Sequence, residues 1–178
     1  MLDIIKPMLL KEAAPFDSPE YIFEFKLDGW RAIAYLEEGG TVLYSRNGRD
    51  ISGEFAGLMG LHTAVRRPCI LDGEIISPKG FWAVRGGVGV TYAAFDILSA
   101  NGERLTGLPL IERKGVLRDI AGGLTVCPYI EREGKALFGV ACANNLEGII
   151  AKRKAGQYYA GKRSGEWLKI KNGGYVRI

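Results

Sequence analysis

The sequence predicts an α+β fold in which antiparallel β-sheets are flanked by a few helices, and three observations lead there. Short segments of alternating polarity recur along the chain, and they come in hairpin-like pairs joined by tight turns. Segments of helical character are too few to supply the crossovers of a doubly wound parallel sheet. No internal repeat or linker interrupts the 178 residues, so 1–178 reads as a single domain long enough to bury a sizeable core.

In 21–28 the alternation is strict, with Phe23, Phe25 and Leu27 on one face and Glu24, Lys26 and Asp28 on the other. Strands at 31–37 and 41–46 follow, with Glu37-Glu38-Gly39-Gly40 as the hairpin turn between them. Residues 54–66 predict a helix, Pro68 resets the chain, and 69–77 predicts a strand ended by Pro78-Lys79-Gly80. Another strand is expected at 91–98. Segment 109–120 carries proline in its first turn and Gly122-Gly123 just past its end, the expected punctuation of a helix. A further apolar helix is expected at 134–145, and strands at 147–153 and 167–171 close the chain.

Composition narrows the class. An apolar content of 47% with 25 glycines suits a globular, turn-rich protein and excludes disordered and fibrous classes. No apolar run approaches the roughly 20 residues of a membrane span, and 1–11 lacks the sections of a signal peptide, so a cytoplasmic protein without membrane contact is expected. Cys69, Cys127 and Cys142 lie far apart in apolar surroundings and are expected as buried thiols. With His62 as the single histidine and no C-x-x-C pair, a structural zinc site and a Ser-His-Asp triad have no support. The net charge of +4 is unevenly placed, because residues 150–178 hold eight basic side chains against Glu166 alone. Such asymmetry suits a polyanion such as nucleotide phosphate or a nucleic-acid backbone, although a solvated basic edge has the same composition.

Several segments set polar residues on one face of an otherwise apolar strand. Lys26-Leu27-Asp28-Gly29-Trp30-Arg31 places a potential amine nucleophile at the polar end of 21–28. In Leu71-Asp72-Gly73-Glu74-Ile75 two carboxylates share a face, which suits a metal ion or a ribose hydroxyl as well as plain solvent. Thr91-Tyr92-Ala93-Ala94-Phe95-Asp96-Ile97 sets small alanines beside aromatics, leaving room for a flat ring on Phe95 or simply packing a core. Glu147-Gly148-Ile149-Ile150-Ala151-Lys152-Arg153 has an acid before an apolar strand and a basic pair after it. In Trp167-Leu168-Lys169-Ile170-Lys171 both lysines share a face, suiting phosphate or a protected edge strand. Two motifs are decoys: Gly156 to Arg163 nearly fits a phosphate loop but has Arg163 where the hydroxyl belongs, and Gly86-Gly87-Val88-Gly89 lacks dinucleotide spacing.

Taken together and in this order, these segments resemble the covalent nucleotidyltransferases, most closely the adenylation domain of ATP-dependent DNA ligases of the bacterial end-joining type. The resemblance covers almost the whole chain, and Ser45-Arg46-Asn47-Gly48 adds the arginine segment that follows the nucleophile motif. It implies a nucleotidyltransferase (ATP-grasp-like) fold with a nucleotide cleft between antiparallel sheets. It implies ATP and Mg2+ as cofactors and a lysyl-AMP adduct at Lys26. The AMP passes to the 5′-phosphate of nicked or broken double-stranded DNA, and a 3′-hydroxyl displaces it.

By the same resemblance Glu24 meets the adenine amino group, Phe95 stacks on the base, and Glu74 meets the ribose and, with Glu147, the metal. Arg31 and Arg46 contact nucleotide or the 5′-phosphate, and Lys152, Lys169 and Lys171 contact the nucleotide's phosphates, the last two acting in catalysis with Lys26. Arg46, Arg153, Lys162 and Arg163 are expected to meet DNA. An attacking amine must be neutral, and an ordinary lysine is neutral in roughly one copy in a few thousand at pH 7. Repulsion from Arg31, Lys169 and Lys171 is expected to favour loss of that proton.

Family members usually continue past the last lysine motif into an OB-fold domain, whereas seven residues follow Lys171 here, and 78–90 looks short for the family. Five strands of about five residues do not fit in that space, so no OB-fold domain is expected in the chain. It then reads as an excised core, a naturally minimal ligase-like protein or one half of a two-chain enzyme, sealing DNA weakly or with a separate OB-fold or end-joining protein. An RNA ligase or a capping-type nucleotidyltransferase shares the lysine chemistry, and a non-catalytic module holding nucleotide or DNA ends is the alternative of a different class.

Overall fold

The computed structural model describes residues 4–177. Its first strands are β1 (Leu9–Glu12), β2 (Ser18–Phe25), β3 (Trp30–Glu37), β4 (Gly40–Ser45) and β5 (Cys69–Ile76). The short helix α1 (Phe81–Val84) leads to β6 (Thr91–Ala100) and β7 (Glu103–Arg104). Then come α2 (Leu110–Ile120), β8 (Thr125–Val126), β9 (Ile130–Arg132), α3 (Gly134–Ala143), β10 (Gly148–Arg153) and β11 (Arg163–Lys171). The first sheet has the order β1-β11-β10-β2-β9, and the second β4-β3-β5-β6-β7 with β8 beside β6. Among the described residues no helix is long and apolar enough to cross a membrane.

The fold is the expected α+β class, with two local departures from its antiparallel rule. β1 runs parallel to β11 and β8 parallel to β6. These strands have four and two residues, too short for a period to show in sequence. The expected helix at 54–66 is absent and is replaced by three 3₁₀ turns at Ser52–Glu54, Ala56–Leu58 and Leu61–Ala64. Gly57 and Gly60 would each cost an α-helix about 1 kcal/mol, and separate turns still bury Phe55 and Leu58 in the core. The first predicted strand also shifts: β2 ends at Phe25, and Leu27, expected on the core face, lines the cleft described below.

Three apolar clusters set the layers. One buries Leu71, Ile75 and Ile97 of the second sheet with Phe55, Leu58, Leu117 and Ile120. Another packs Phe23, Ile149, Ala151 and Ile170 of the first sheet against Ala141 of α3. The third joins the inner faces of the two sheets through Met8, Ile33, Ile70, Leu98, Tyr158 and Trp167. Each fully buried side chain of this size contributes about 1.5–3 kcal/mol, so the third cluster holds the sheets together where it lies. Of the expected buried thiols, Cys69 and Cys127 are buried, but Cys142 is exposed on α3, whose apolar sequence is wider than the face it packs.

Candidate active site

The cleft has a volume of about 680 Å³, and side chains from both sheets line it. Period-2 alternation delivers them. On β11, Leu168 and Ile170 turn toward α3 while Trp167, Lys169 and Lys171 enter the cleft, and on β10 Ile150 and Lys152 do the same. Glu24, Lys26, Arg31, Arg46, Glu74, Phe95, Glu147, Lys152, Arg163, Lys169 and Lys171 all line it, although they come from widely separated segments. Lys162 is exposed beside Arg163 and is not among the lining residues. Arg153 does not join them: it falls in line with Ile149 and Ala151 on the α3 side and lies 3.5 Å from Glu20.

Lys26 follows β2 directly, and its backbone N–H donates to Gly148 O at 2.9 Å, extending the β2/β10 pairing by one residue. Its Nζ donates to Glu147 Oε2 at 2.6 Å. The bonded partner of the candidate nucleophile is thus a carboxylate rather than one of the three cations expected to surround it. Glu147 is fixed from its other side by Asn172 N–H donating to its carbonyl at 3.0 Å. Gly148 makes the approach possible, since its φ of 134° suits glycine and a Cβ there would lie 2.1 Å from Ile170 O.

Glu24 is buried between two equally buried lysines. Lys114 of α2 donates to Oε1, and Lys152 pairs with Oε2 at 2.7 Å. Lys152 Nζ also lies 4.2 Å from the ring centroid of Phe95 and 4.3 Å from that of Trp167, so two π-faces share its charge. Burial pulls the Lys152 ammonium below the ordinary lysine range, opposed by Glu24. On the second sheet Arg31 grips Asp72 with two hydrogen bonds, 3.0 and 2.6 Å, and Tyr158 O–H donates to Asp72 at 2.7 Å. Asp72 is therefore committed to holding Arg31, and Glu74 is the acid of that pair that reaches the cleft. Burial, reinforced by Asp72 and Glu147, pushes the Glu74 carboxyl up to about 8 against the pull of Arg31 and Lys26.

The remaining cations stand near the mouth. Lys169 and Lys171 lie 3.6 and 3.8 Å from Glu12 on β1, loose pairs that leave both free to meet an anion. Arg46 and Arg85 line the cleft without a carboxylate partner among the described residues. Among the described residues no cluster of three or more His, Cys, Asp or Glu side chains could hold a metal. Glu74 and Glu147 are two carboxylates in the cleft to which phosphate oxygens and water would have to add.

Sequence reasoning missed four contributors: Lys114, the bidentate Arg113–Asp96 pair at 2.8 and 2.7 Å, Arg85, and the tail. In the tail Tyr175 O–H and Arg177 Nη2 both donate to Asp28, at 2.6 and 2.7 Å. A signal for the first two was present. Leu110, Arg113, Lys114, Leu117 and Ile120 fall at helical spacing on the buried stripe of α2, so two cations occupy core positions.

Comparison with known proteins agrees with this geometry. A model of the ATP dependent DNA ligase domain matches residues 6–82 and 83–171. The SPbeta prophage-derived DNA ligase-like protein LigB of Bacillus subtilis (strain 168) is 30% identical over 98% of this chain and 70% of its own length. The multifunctional non-homologous end joining DNA repair protein LigD of Mycobacterium tuberculosis (strain ATCC 25618 / H37Rv) is 31% identical over 96% of this chain, which spans 24% of that protein. Among solved structures, mycobacterial DNA ligase D complexed with ATP and MES superposes with a TM-score of 0.89 at 29% identity, covering 97% of this chain and 62% of that one. Matched along nearly its whole length in both sequence and fold, the chain belongs to the ATP-dependent DNA ligase domain family.

Proposed function

We propose that this chain is a DNA ligase catalytic core that activates itself with ATP and works on breaks in double-stranded DNA. Lys26 Nζ, once neutral, attacks the α-phosphorus; the N–P bond forms, the P–O bond to pyrophosphate breaks, and lysyl-AMP results. The AMP then moves to a 5′-phosphate, freeing Lys26, and a 3′-hydroxyl displaces it as the strand is joined. One observation carries this reading: six separated motifs converge on one cleft in which the Lys26 amine is paired with Glu147 and which the lysines of β10 and β11 also line.

Each neighbouring group has a part. Glu24 accepts from the base amino group, Phe95 supplies a stacking face, and Arg31, Lys152, Lys169 and Lys171 take phosphate charge. Burial raises the Glu74 carboxyl to about 8 and so favours its protonated form, which suits a hydrogen bond to a ribose hydroxyl, while a bound cation would draw it back to the carboxylate. Glu147 is the hard oxygen donor that fits Mg2+, which binds through one or two carboxylates plus substrate phosphates and supplies charge neutralisation of the triphosphate. Arg46, Lys162 and Arg163 form the cationic approach for DNA phosphates, while Arg153 contacts DNA only if the duplex also reaches the α3 face. The likeness to LigD, named for end joining and DNA repair, supports a DNA-repair setting with an end-joining protein as the partner class.

The test is incubation with Mg2+ and ATP labelled at the α-phosphate, then a denaturing gel. Label on the wild type and none on Lys26→Ala is the expected result; unlabelled wild type sinks the reading. Parallel arms with GTP, and with DNA against RNA nicks, separate a DNA ligase from an RNA ligase or a capping-type enzyme.

A further inference from the structure

The buried lysine behind Glu24 has no part in the chemistry above. Lys114 lies on α2 with 2% of its residue surface exposed, it does not line the cleft, and its ammonium donates to Glu24 Oε1 and lies 5.5 Å from the Tyr129 ring centroid. Lysines are almost never this buried unless paired, and exchanging a buried ion pair for apolar packing is often neutral or stabilising. Docking of α2 does not require the charge either. Arg113 already anchors the helix to Asp96, Leu110 N–H donates to Gly156 O at 2.9 Å, and Leu110, Leu117 and Ile120 are buried.

The arrangement makes sense as a fixed and a movable cation on one carboxylate. Lys152 pairs with Glu24 and lines the cleft, where the proposed function has it turn to an incoming phosphate, whereas Lys114 pairs with the other oxygen of Glu24 and does not line the cleft. A carboxylate has about four lone-pair sites, so two lysine donors leave acceptor capacity facing the cleft. We propose that Lys114 is a positioning residue for base selection. It fixes Glu24 so that a base with an exocyclic amine is accepted and one with a carbonyl at the same place is rejected. This rests on the proposed meeting of Glu24 with the base.

Self-nucleotidylation of the whole chain, followed by intact mass at varied ATP or inosine triphosphate, tests it. Inosine differs from adenosine in carrying a carbonyl for the amine. In Lys114→Met the KM for ATP is expected to rise about tenfold, as for weakening one charge-assisted hydrogen bond, with little change in maximal rate or in the KM for inosine triphosphate. Lys114→Gln, which keeps a donor without charge, is expected to fall between, and Glu24→Gln is expected to lose the preference as well. If both Lys114 variants keep the wild-type preference while Glu24→Gln loses it, the proposal is overturned and the reading of Glu24 stands. If Glu24→Gln itself keeps the preference, that reading fails. A parallel rise of both KM values in the Lys114 variants, or absence of cooperative melting in both, marks a purely structural residue and overturns the proposal too.

Discussion

Lys26 Nζ and Glu147 Oε2 are joined at 2.6 Å across the seam between the nucleophile loop and the segment before β10, with 21% and 16% of their side-chain surfaces exposed. A neutral amine has to emerge from this pair, and the carboxylate is the group in contact with the proton that must leave. Glu147→Gln keeps the shape and removes the charge. Its rate of lysyl-AMP formation should fall by about a hundredfold or more, the scale of losing one preorganised electrostatic group, since Glu147 is both the partner of the Lys26 ammonium and the proposed donor to Mg2+. The measurement is a single-turnover time course with labelled ATP, and an unchanged rate would remove Glu147 from the mechanism.

Glu74 should write itself into the pH dependence of stability. Its carboxyl lies near 8 in the fold and near 4.5 as the ordinary value, so the folded state binds the proton more tightly. Its favourable contribution is therefore complete below about 4.5 and is lost as pH rises toward 8. Glu74→Gln cannot ionise and escapes that loss. The melting temperature of Glu74→Gln minus that of wild type should grow between pH 5 and 8; a flat difference contradicts the elevated carboxyl.

Arg113 and Asp96 are both fully buried and meet through two hydrogen bonds, with further Arg113 donation to Leu108 O and Gly156 O. Removing the cation strands a carboxylate in the core. Arg113→Met should lose about 3–5 kcal/mol in chemical denaturation, the usual cost of breaking a buried pair from one side. A loss below about 1 kcal/mol, the scale of exposed pairs, would mean that water reaches Asp96.

Legibility in the sequence followed the range of the physics. Alternation is local, so β3, β5 and β10 and the shared face of Lys169 and Lys171 could be read directly, whereas Lys152 was placed at the nucleotide only by the family resemblance. The short helix α2 was marked by its own proline and glycines. What failed depended on partners far along the chain. Lys26 meets Glu147 across 121 positions and Lys114 meets Glu24 across 90, and no local period encodes such pairs. Arg153 shows the limit from the other side: its charge was legible, but that it stands outside the cleft followed from Lys152 pointing into it. The 3₁₀ turns at 52–64 failed because a helical apolar spacing is equally served by separate turns once glycines interrupt it.

DNA binding should carry the electrostatic signature of the cleft mouth. Arg163 donates to a backbone carbonyl, Leu10 O, and among the described residues neither it nor Arg46 has a carboxylate partner to surrender when phosphate arrives. Each phosphate contact contributes about 0.9 to the slope of log affinity against log salt. Arg46→Gln and Arg163→Gln should each weaken binding to a nicked duplex and flatten that slope by about 1, similarly for different sequences. Arg153→Gln reports on the other face, where Glu20 already lies 3.5 Å from the guanidinium. Fluorescence-anisotropy titrations at several salt concentrations separate the cases. A flattened slope for Arg153→Gln with unchanged slopes for the other two would move the DNA path out of the cleft and onto the α3 side of the sheet.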